Sequence, residues 1–337
     1  MNIYFHIVLF LVILFLYLHL VEQYKRSEDL EVYEMDYTNN ENLQEVCNIK
    51  QPVLFEYKTI NGDFFEDINI DKIDTPNYLS HDVKVKENED YWKETVDSVD
   101  YVTLPLSSSQ ALMTTDTHAN YFTENNETFI EECRMVADFQ SNDAFLKPPL
   151  TIHSRYDICM GSKNAATPLR YHMFHRYFLC VNSGKIRVKM TPWKSSKYLY
   201  PVEDYDNYEF FSPVNAWKPQ RKYFHEMDKI KFLEFDVLAG HALFIPAYWW
   251  YSIQYTEEPT LITTFTYNNV MNCMANVPNF GLYYLQQYNT KTKVVKTLNT
   301  NINLEEDATE NSENMDEKDN DKNKLATQNV NNEIISK

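Results

Sequence analysis

The chain has 337 residues and a formal charge of −18, with 15% aromatic and 24% charged residues. This length can bury a sizeable core, and the 25 Tyr and 20 Phe favour strands over a helical bundle. Five scattered glycines exclude a phosphate-binding loop and a dinucleotide-binding fingerprint, and the acidic balance argues against a nucleic-acid partner.

The N-terminus predicts a membrane anchor over residues 1–22. Residues 3–21 are apolar except for His6 and His19, and nineteen residues in a helix span roughly 28 Å, close to the thickness of a bilayer's hydrocarbon core. A cleaved signal peptide would need a basic start and a small-residue cleavage site, which this stretch lacks. A buried core helix would be apolar on one face rather than all round.

The flanking charges predict the orientation of a single-pass protein. Lys25 and Arg26 follow the apolar run and no Lys or Arg precedes it, so the positive-inside rule places the C-terminal part in the cytosol. Asn126-Glu127-Thr128 is a glycosylation sequon that would matter only in the reversed orientation, and chance in an Asn-rich chain is the alternative explanation.

Composition divides the rest of the chain into three parts. Residues 23–46 are polar and irregular, typical of a tether. Residues 47–289 carry short apolar runs bounded by turn residues, such as PVLFEY, YFLCV, IRVKM and LITTFTY, which predict strands, while helical periodicity is confined to SSSQALM and NETFIEECRMVADF. The fold class is therefore mostly β with helical additions.

The last part, residues 290–337, is predicted to be a disordered acidic tail. From Glu305 to Asp321 it holds nine carboxylates against Lys318 and almost nothing apolar to bury. Such a tail is either a solvated terminus or a contact for a protein partner.

Cysteine usage indicates a reducing compartment. The five cysteines are Cys47, Cys133, Cys159, Cys180 and Cys273. They show no CxxC pair and no short spacing, which argues against a disulfide framework and a zinc ribbon.

Two stretches carry a family resemblance: TPLRYHMFHRYF at residues 167–178 and GHALFIPAYWWYSI at residues 240–253. They resemble the cupin-like, Jumonji-C-related Fe(II)/2-oxoglutarate oxygenases, whose pattern is T-P-x-H-x-D, a Lys about thirteen residues later, and G-D-x-L-x-I-P-x-x-W-x-H. KQPVLFEY and YFTENNETF extend the resemblance to about residues 47–285. It implies a double-stranded β-helix, a jelly-roll barrel, which the transmembrane helix predicted from the apolar run would precede. The Asn-rich chain with a short barrel and an anchor looks most like cupin-like proteins of large DNA viruses, which implies a viral or organellar membrane.

The resemblance fails at the iron ligands. The family's first His corresponds to Arg170, its Asp to His172 and its distal His to Tyr251, and no His in the chain is followed two residues later by Asp or Glu. Because the chemistry needs two His and one carboxylate on iron, the expectation is a non-catalytic binding or structural module without metal or other cofactor. The alternative is an Fe(II)/2-oxoglutarate hydroxylase or demethylase with a rearranged metal site.

Other positions of the family's site are retained. Thr167 and Lys185 match the residues that hold the 2-oxoglutarate carboxylate, and strand alternation would turn Arg170 and Arg176 inward beside Lys185. Buried cations need compensation. It could come from acidic residues such as Glu203, Asp204 or Asp206, or from a bound dicarboxylate or phosphate, which would make the protein a metal-free anion binder.

Two further features have competing explanations. His172, His175 and His241 could form an improvised metal site only if a bulge turned His172 and His175 to the same face; ordinary buried or exposed histidines are the alternative. Trp249 and Trp250 are neighbours in a predicted strand, so one is expected in the core and one outside. The barrel surface, like the tail, remains a candidate for protein partners.

Overall fold

The computed structural model describes residues 3–93 and 99–288, and within these ranges strands form two sheets decorated by short helices. The predicted acidic tail at residues 290–337 lies outside the described residues.

The strands are β1 (Tyr33–Glu34), β2 (Val53–Glu56), β3 (Asp82–Glu87), β4 (Val102–Pro105), β5 (Tyr121–Thr123), β6 (Thr151–Gly161), β7 (Arg170–Tyr171), β8 (Arg176–Ser183), β9 (Lys185–Thr191), β10 (Val202–Asp204), β11 (Glu209–Phe211), β12 (Leu233–Leu238), β13 (His241–Phe244), β14 (Trp250–Tyr255) and β15 (Leu261–Asn269).

The helices are α1 (Ile3–Tyr24), α2 (Asn40–Cys47), α3 (Gly62–Asp67), α4 (Ile70–Ile73), α5 (Pro76–Leu79), α6 (Leu106–Thr115), α7 (Glu127–Glu132), α8 (Val136–Ser141), α9 (Asp143–Leu146), α10 (Phe224–Met227), α11 (Val270–Ala275) and α12 (Val277–Gln287). Short 3-10 turns cover Asn88–Trp92, Trp193–Tyr198 and Arg221–Tyr223.

The two sheets share one core. The larger sheet has the order β1-β2-β13-β8-β15-β6-β5-β3-β4 and the smaller β10-β11-β7-β14-β9-β12, with nearly all pairs antiparallel. Leu179 and Ile262 of the larger sheet and Val188 and Ile253 of the smaller one belong to the same buried cluster. This is the double-stranded arrangement that the sequence predicts, with side chains of both inner faces filling the interior.

The two motif stretches form strands joined by turns that glycine and proline permit. Gly184 and Gly240, at the β8–β9 and β12–β13 turns, have φ of +75° and +89°, a backbone region that favours glycine. Pro246 falls between β13 and β14, where the chain crosses from the larger sheet to the smaller. The predicted helical stretches also appear, as α6 and as α7 with α8.

Helix α1 is long and apolar enough to cross a membrane, with 22 residues and a mean hydropathy of 2.5 over its most apolar window. Its side chains are exposed or only partly buried, which distinguishes it from a core helix of a soluble protein.

The predicted polar tether is partly folded. Helix α2 begins at Asn40 and buries Leu43 and Gln44, and β1 pairs with β2 in parallel. Residues 40–46 therefore belong to the folded domain rather than to a tether. Leu43 and Cys47 are completely buried, and Asn40 Nδ2 donates to the Lys147 carbonyl.

Candidate functional site

The three positions that correspond to iron ligands converge on one cavity inside the barrel. Arg170, His172 and Tyr251 all line it, together with Glu124 and Glu209, and its volume is about 100 Å³. Arg170 on β7 and Tyr251 on β14 are cross-strand neighbours. The three positions that the family resemblance assigns to iron ligands therefore share one cavity.

An ion pair occupies the first ligand position. Arg170 Nη1 lies 2.5 Å from Glu124 Oε2, and the side chains are 15% and 5% exposed. Although burial opposes ionisation, Arg170 and Lys86 lower the pKa of Glu124 to about 2. The same carboxylate raises the pKa of Arg170 well above its ordinary value, against the effect of burial. Both groups are therefore charged at neutral pH.

A second cation and a second carboxylate extend this pair into a network. Lys86 Nζ donates to Glu124 at 3.0 Å and also contacts Glu209. Glu209 accepts from the Tyr91 hydroxyl at 2.9 Å and from Asn125 Nδ2 at 3.2 Å. Two buried cations thus face two carboxylates, and a buried network of this kind is tolerated because its members are paired and hydrogen-bonded.

Aromatic rings surround the other two ligand positions. The Arg170 guanidinium lies 5.6 Å from the Tyr251 ring centre, and the His172 ring stacks on Phe174 at 5.3 Å and lies 4.8 Å from Tyr177. Burial raises the pKa of Tyr251 and lowers that of His172 to about 3. Both groups are therefore neutral at physiological pH.

This donor set does not fit Fe(II). A guanidinium carries no lone pair for a metal and a neutral phenol is a poor ligand, so of the three positions His172 alone offers a suitable donor. Both ring nitrogens of His172 are buried, and a hydrogen bond with the backbone of Ile245 only partly offsets the effect of burial on its pKa. In residues 3–93 and 99–288 no three His, Cys, Asp or Glu side chains form a group that could hold a metal.

The predicted anion-binding residues do not share a cavity. Thr167 is buried, and its hydroxyl accepts the Ile253 N–H at 2.9 Å, which braces β14. Lys185 pairs with Asp236 at 2.7 Å at the start of β9. Neither residue lines the barrel cavity.

Arg176 is also separate from the cavity. It is 1% exposed and donates to Gln44 Oε1 at 2.8 Å and Asn48 Oδ1 at 2.6 Å, so it anchors α2 to β8. The prediction of one basic pocket formed by Arg170, Arg176 and Lys185 is therefore wrong. The prediction requires side chains to alternate regularly between the two faces of one strand along residues 170–176, but β7 ends at Tyr171 and the chain is irregular before β8.

The expected internal compensation of Arg170 exists, but with different partners. Glu203, Asp204 and Asp206 were the predicted acids, whereas Glu124 forms the ion pair. Asp204 instead accepts the backbone N–H groups of Asp206 and Asn207 in its own turn. Asp204 is thus used locally.

The tryptophan prediction is corrected in one respect. Trp249 and Trp250 do face opposite sides, but both are buried, at 1% and 0% exposure. Trp249 belongs to the core between the sheets. Trp250 belongs to a second apolar cluster formed with Leu169, Phe210 and Tyr248.

The sequence analysis did not identify the three charged residues that form the ion-pair network with Arg170. Lys86 on β3, Glu124 after β5 and Glu209 on β11 are distant in the chain, and sequence spacing does not bring them together. A partial signal existed for Glu124, which lies inside the family-like stretch YFTENNETF.

Comparison with known proteins agrees with this geometry. The cupin-like domain family matches residues 21–273. The chain belongs to this family. The match begins upstream of the predicted boundary at residue 47, which agrees with the folded position of α2.

Individual relatives of this cupin-like protein are distant. "Lysine-specific demethylase JMJ31" of Arabidopsis thaliana is 28% identical over 154 residues, which are 44% of this chain and 27% of that protein. "HSPB1-associated protein 1" of Rattus norvegicus and Homo sapiens is 25% identical over 103 residues, 30% of this chain. The match spans about a quarter of the relatives' length. These relatives come from a plant and mammals and do not support the viral resemblance.

Proposed function

We propose that this cupin-like protein is a membrane-anchored, non-catalytic binding or structural module in which an ion-pair network has replaced the iron centre. The observation that carries the proposal is the buried Arg170–Glu124 pair at the first ligand position. The positively charged guanidinium of Arg170 in that place repels a divalent cation. Without Arg170, Glu124 would be paired only with Lys86 among the described side chains.

Anchoring by α1 is the second element of the proposal, and its length and exposed apolar surface support it. Protein partners would bind the outer barrel surface or the acidic C-terminal residues, since the cavity inside the barrel, at about 100 Å³, is too small for a protein segment.

A 2-oxoglutarate-dependent hydroxylase or demethylase is the alternative function, favoured by the similarity to a lysine-specific demethylase of a plant. A metal-free anion binder is less well supported, because Arg170 and Lys185 already have carboxylate partners.

The test uses the full-length chain in detergent, loaded anaerobically with Fe(II), with metal measured by elemental analysis and turnover measured as succinate formed from 2-oxoglutarate. We expect iron far below one per chain and no succinate. Near-stoichiometric iron with succinate formation would establish the oxygenase instead.

A ligand-restored variant is the matched control. Arg170→His, His172→Asp and Tyr251→His together recreate the family's donor set at the same positions. Iron uptake by this variant, but not by the unaltered chain, would attribute the loss to these side chains. A thermal shift of the unaltered chain with 2-oxoglutarate or phosphate in the absence of metal would instead favour the anion binder.

A further inference from the structure

Helices α11 and α12 present an apolar face that no described part of the chain covers. Val277, Tyr284, Leu285 and Tyr288 are 60%, 63%, 70% and 86% exposed. On a helix these positions follow one another at intervals of seven, one and three residues, which places them along one face. Val270 and Met274 of α11 are also exposed.

The opposite face of α12 is packed on the barrel. Phe280 stacks on Tyr208 at 5.5 Å between ring centres, and Tyr283 meets the same ring at 5.6 Å. Asn279 accepts from the Tyr205 hydroxyl at 3.2 Å. The helix is therefore held in place by one face, and its apolar side is turned away from the domain.

The exposed face is unusual because it carries no charge. Residues 270–288 contain no Asp, Glu, Lys, Arg or His, in a chain of which 24% is charged. An exposed helix of a soluble domain normally shows charged side chains on its outer face. Aliphatic residues with tyrosines are instead typical of a helix at the boundary between lipid headgroups and acyl chains.

The position of α11 connects this face to the predicted membrane anchor. Helix α1 packs against α11, and the hydroxyl of Tyr24, the last residue of α1, donates to the Ala275 carbonyl at the end of α11. If the apolar run of residues 3–21 spans the bilayer, Tyr24 lies at the headgroup level. The start of α12, two residues after Ala275, then lies at the same level.

We propose that the outward face of α11 and α12 rests on the lipid surface of the membrane that α1 crosses, so that the barrel is held in one orientation. This inference depends on the proposed anchoring by α1. We infer that lipid covers this face, because the face is continuous with the end of α1, is uncharged and contains tyrosines.

The test places a tryptophan on this face in the full-length chain. Leu285→Trp is compared with the unaltered protein in phosphatidylcholine vesicles with and without acyl chains brominated close to the headgroup, since bromine quenches tryptophan on contact. Subtraction of the unaltered protein's emission isolates the new residue. We expect bromination to reduce that emission roughly twofold or more, as for a side chain at the acyl boundary.

Leu238→Trp is the matched control. Leu238 is also an exposed leucine, at 52%. It pairs with Lys185 at the start of β9, and the other end of this strand, Thr191, is six residues away. Trp193, two residues beyond Thr191, contacts Arg26 just after α1, so Leu238 is about 20 Å from the anchored end of the strand. Its emission should be insensitive to bromination.

Flotation of the same vesicles separates the two proposals. Protein that does not float with the vesicles would overturn both the anchoring and the lipid contact. Protein that floats while Leu285→Trp is quenched no more than Leu238→Trp would leave the anchoring intact and overturn the lipid contact. In that case, emission of Leu285→Trp that shifts with protein concentration would identify a second copy of the chain as the occupant.

Discussion

At the residue scale, the interior of the barrel is governed by charge pairing. Glu124 accepts from both Lys86 and Arg170, which come from different sheets, and Glu209 supplies the second negative charge through its contact with Lys86. Removal of a single partner from a buried ion pair is far more destabilising than the net stabilisation of the pair, because the remaining charge stays buried.

Replacement of Glu124 by Gln should therefore lower the free energy of unfolding by about 3–5 kcal/mol, measured by chemical denaturation of the detergent-solubilised chain. Asp236→Asn is the control, since Asp236 lies in a solvent-exposed cluster with Lys185 and Arg187 and exposed pairs contribute little. Equal losses in the two variants would contradict a structural role for the network.

Two histidines, one buried and one partly buried, should make stability depend on pH. Burial lowers the pKa of His172 to about 3 and of His175 to about 2, whereas an unfolded histidine titrates near pH 6.5. Below pH 6.5 the unfolded chain thus binds protons that the folded chain does not, so stability is complete above that pH and falls as the solution is acidified.

Between pH 7 and 5.5 each histidine should remove about 1.3 kcal/mol of unfolding free energy, measured by denaturation at each pH. This range lies above the titration of ordinary carboxyl groups. His172→Asn should reduce the dependence by about half, and an unchanged dependence in that variant would exclude His172 as a source.

At the scale of elements, Arg26 connects the end of α1 to the barrel by packing against two aromatic rings. The Arg26 guanidinium lies 4.2 Å from the Trp193 ring centre and 4.1 Å from that of Tyr248, and burial lowers its pKa. A residue predicted to orient the chain by its charge therefore also fixes the barrel to the end of the anchor. Planar stacking of this kind is specific to arginine.

Arg26→Ala should loosen this junction by about 1 kcal/mol for each ring, seen as faster hydrogen exchange of the backbone at residues 25–32. In Arg26→Lys, hydrogen exchange of the same segment should be slower than in Arg26→Ala but faster than in the unaltered protein, because an ammonium retains the charge without the planar contact. Exchange that is the same in all three proteins would show that this packing does not restrain the segment.

At the scale of the whole molecule, Lys25 and Arg26 predict the orientation across the membrane, with the barrel on the cytosolic side. The natural sequon cannot report it, because Asn126 is 2% exposed and its side chain bonds the Lys84 N–H and the Ile158 carbonyl. A glycosylation acceptor at this position is inaccessible in the folded domain on either side.

Protease added to sealed microsomes that contain the full-length chain should digest the barrel without detergent, as for a cytosolic domain. A variant with Asn2→Lys and Tyr4→Lys, which removes the difference in Lys and Arg across the span while it keeps Arg26, should show increased protection. Full protection of the unaltered chain would mean that the barrel is on the other side.

The sequence by itself determined the strand-rich class, the apolar N-terminal helix and the family resemblance, and it predicts the replacement of the three iron ligands. Each depends on local composition or on a short motif, such as GHALFIPAYWWYSI, whose residues are neighbours in the chain. The convergence of Arg170, His172 and Tyr251 also followed, because the family's fold brings these strands together.

Only the tertiary structure decided what Arg170, Arg176 and Lys185 do. Their partners Glu124, Gln44 and Asp236 lie between 46 and 132 positions away in the chain, and such pairings depend on sheet order and on the irregular segment between β7 and β8. The packing of α12, with its apolar side outward, likewise depends on contacts with Tyr205 and Tyr208. Long-range pairing and the choice of helix face are properties of the folded chain, since no local pattern encodes which distant surface a side chain will meet.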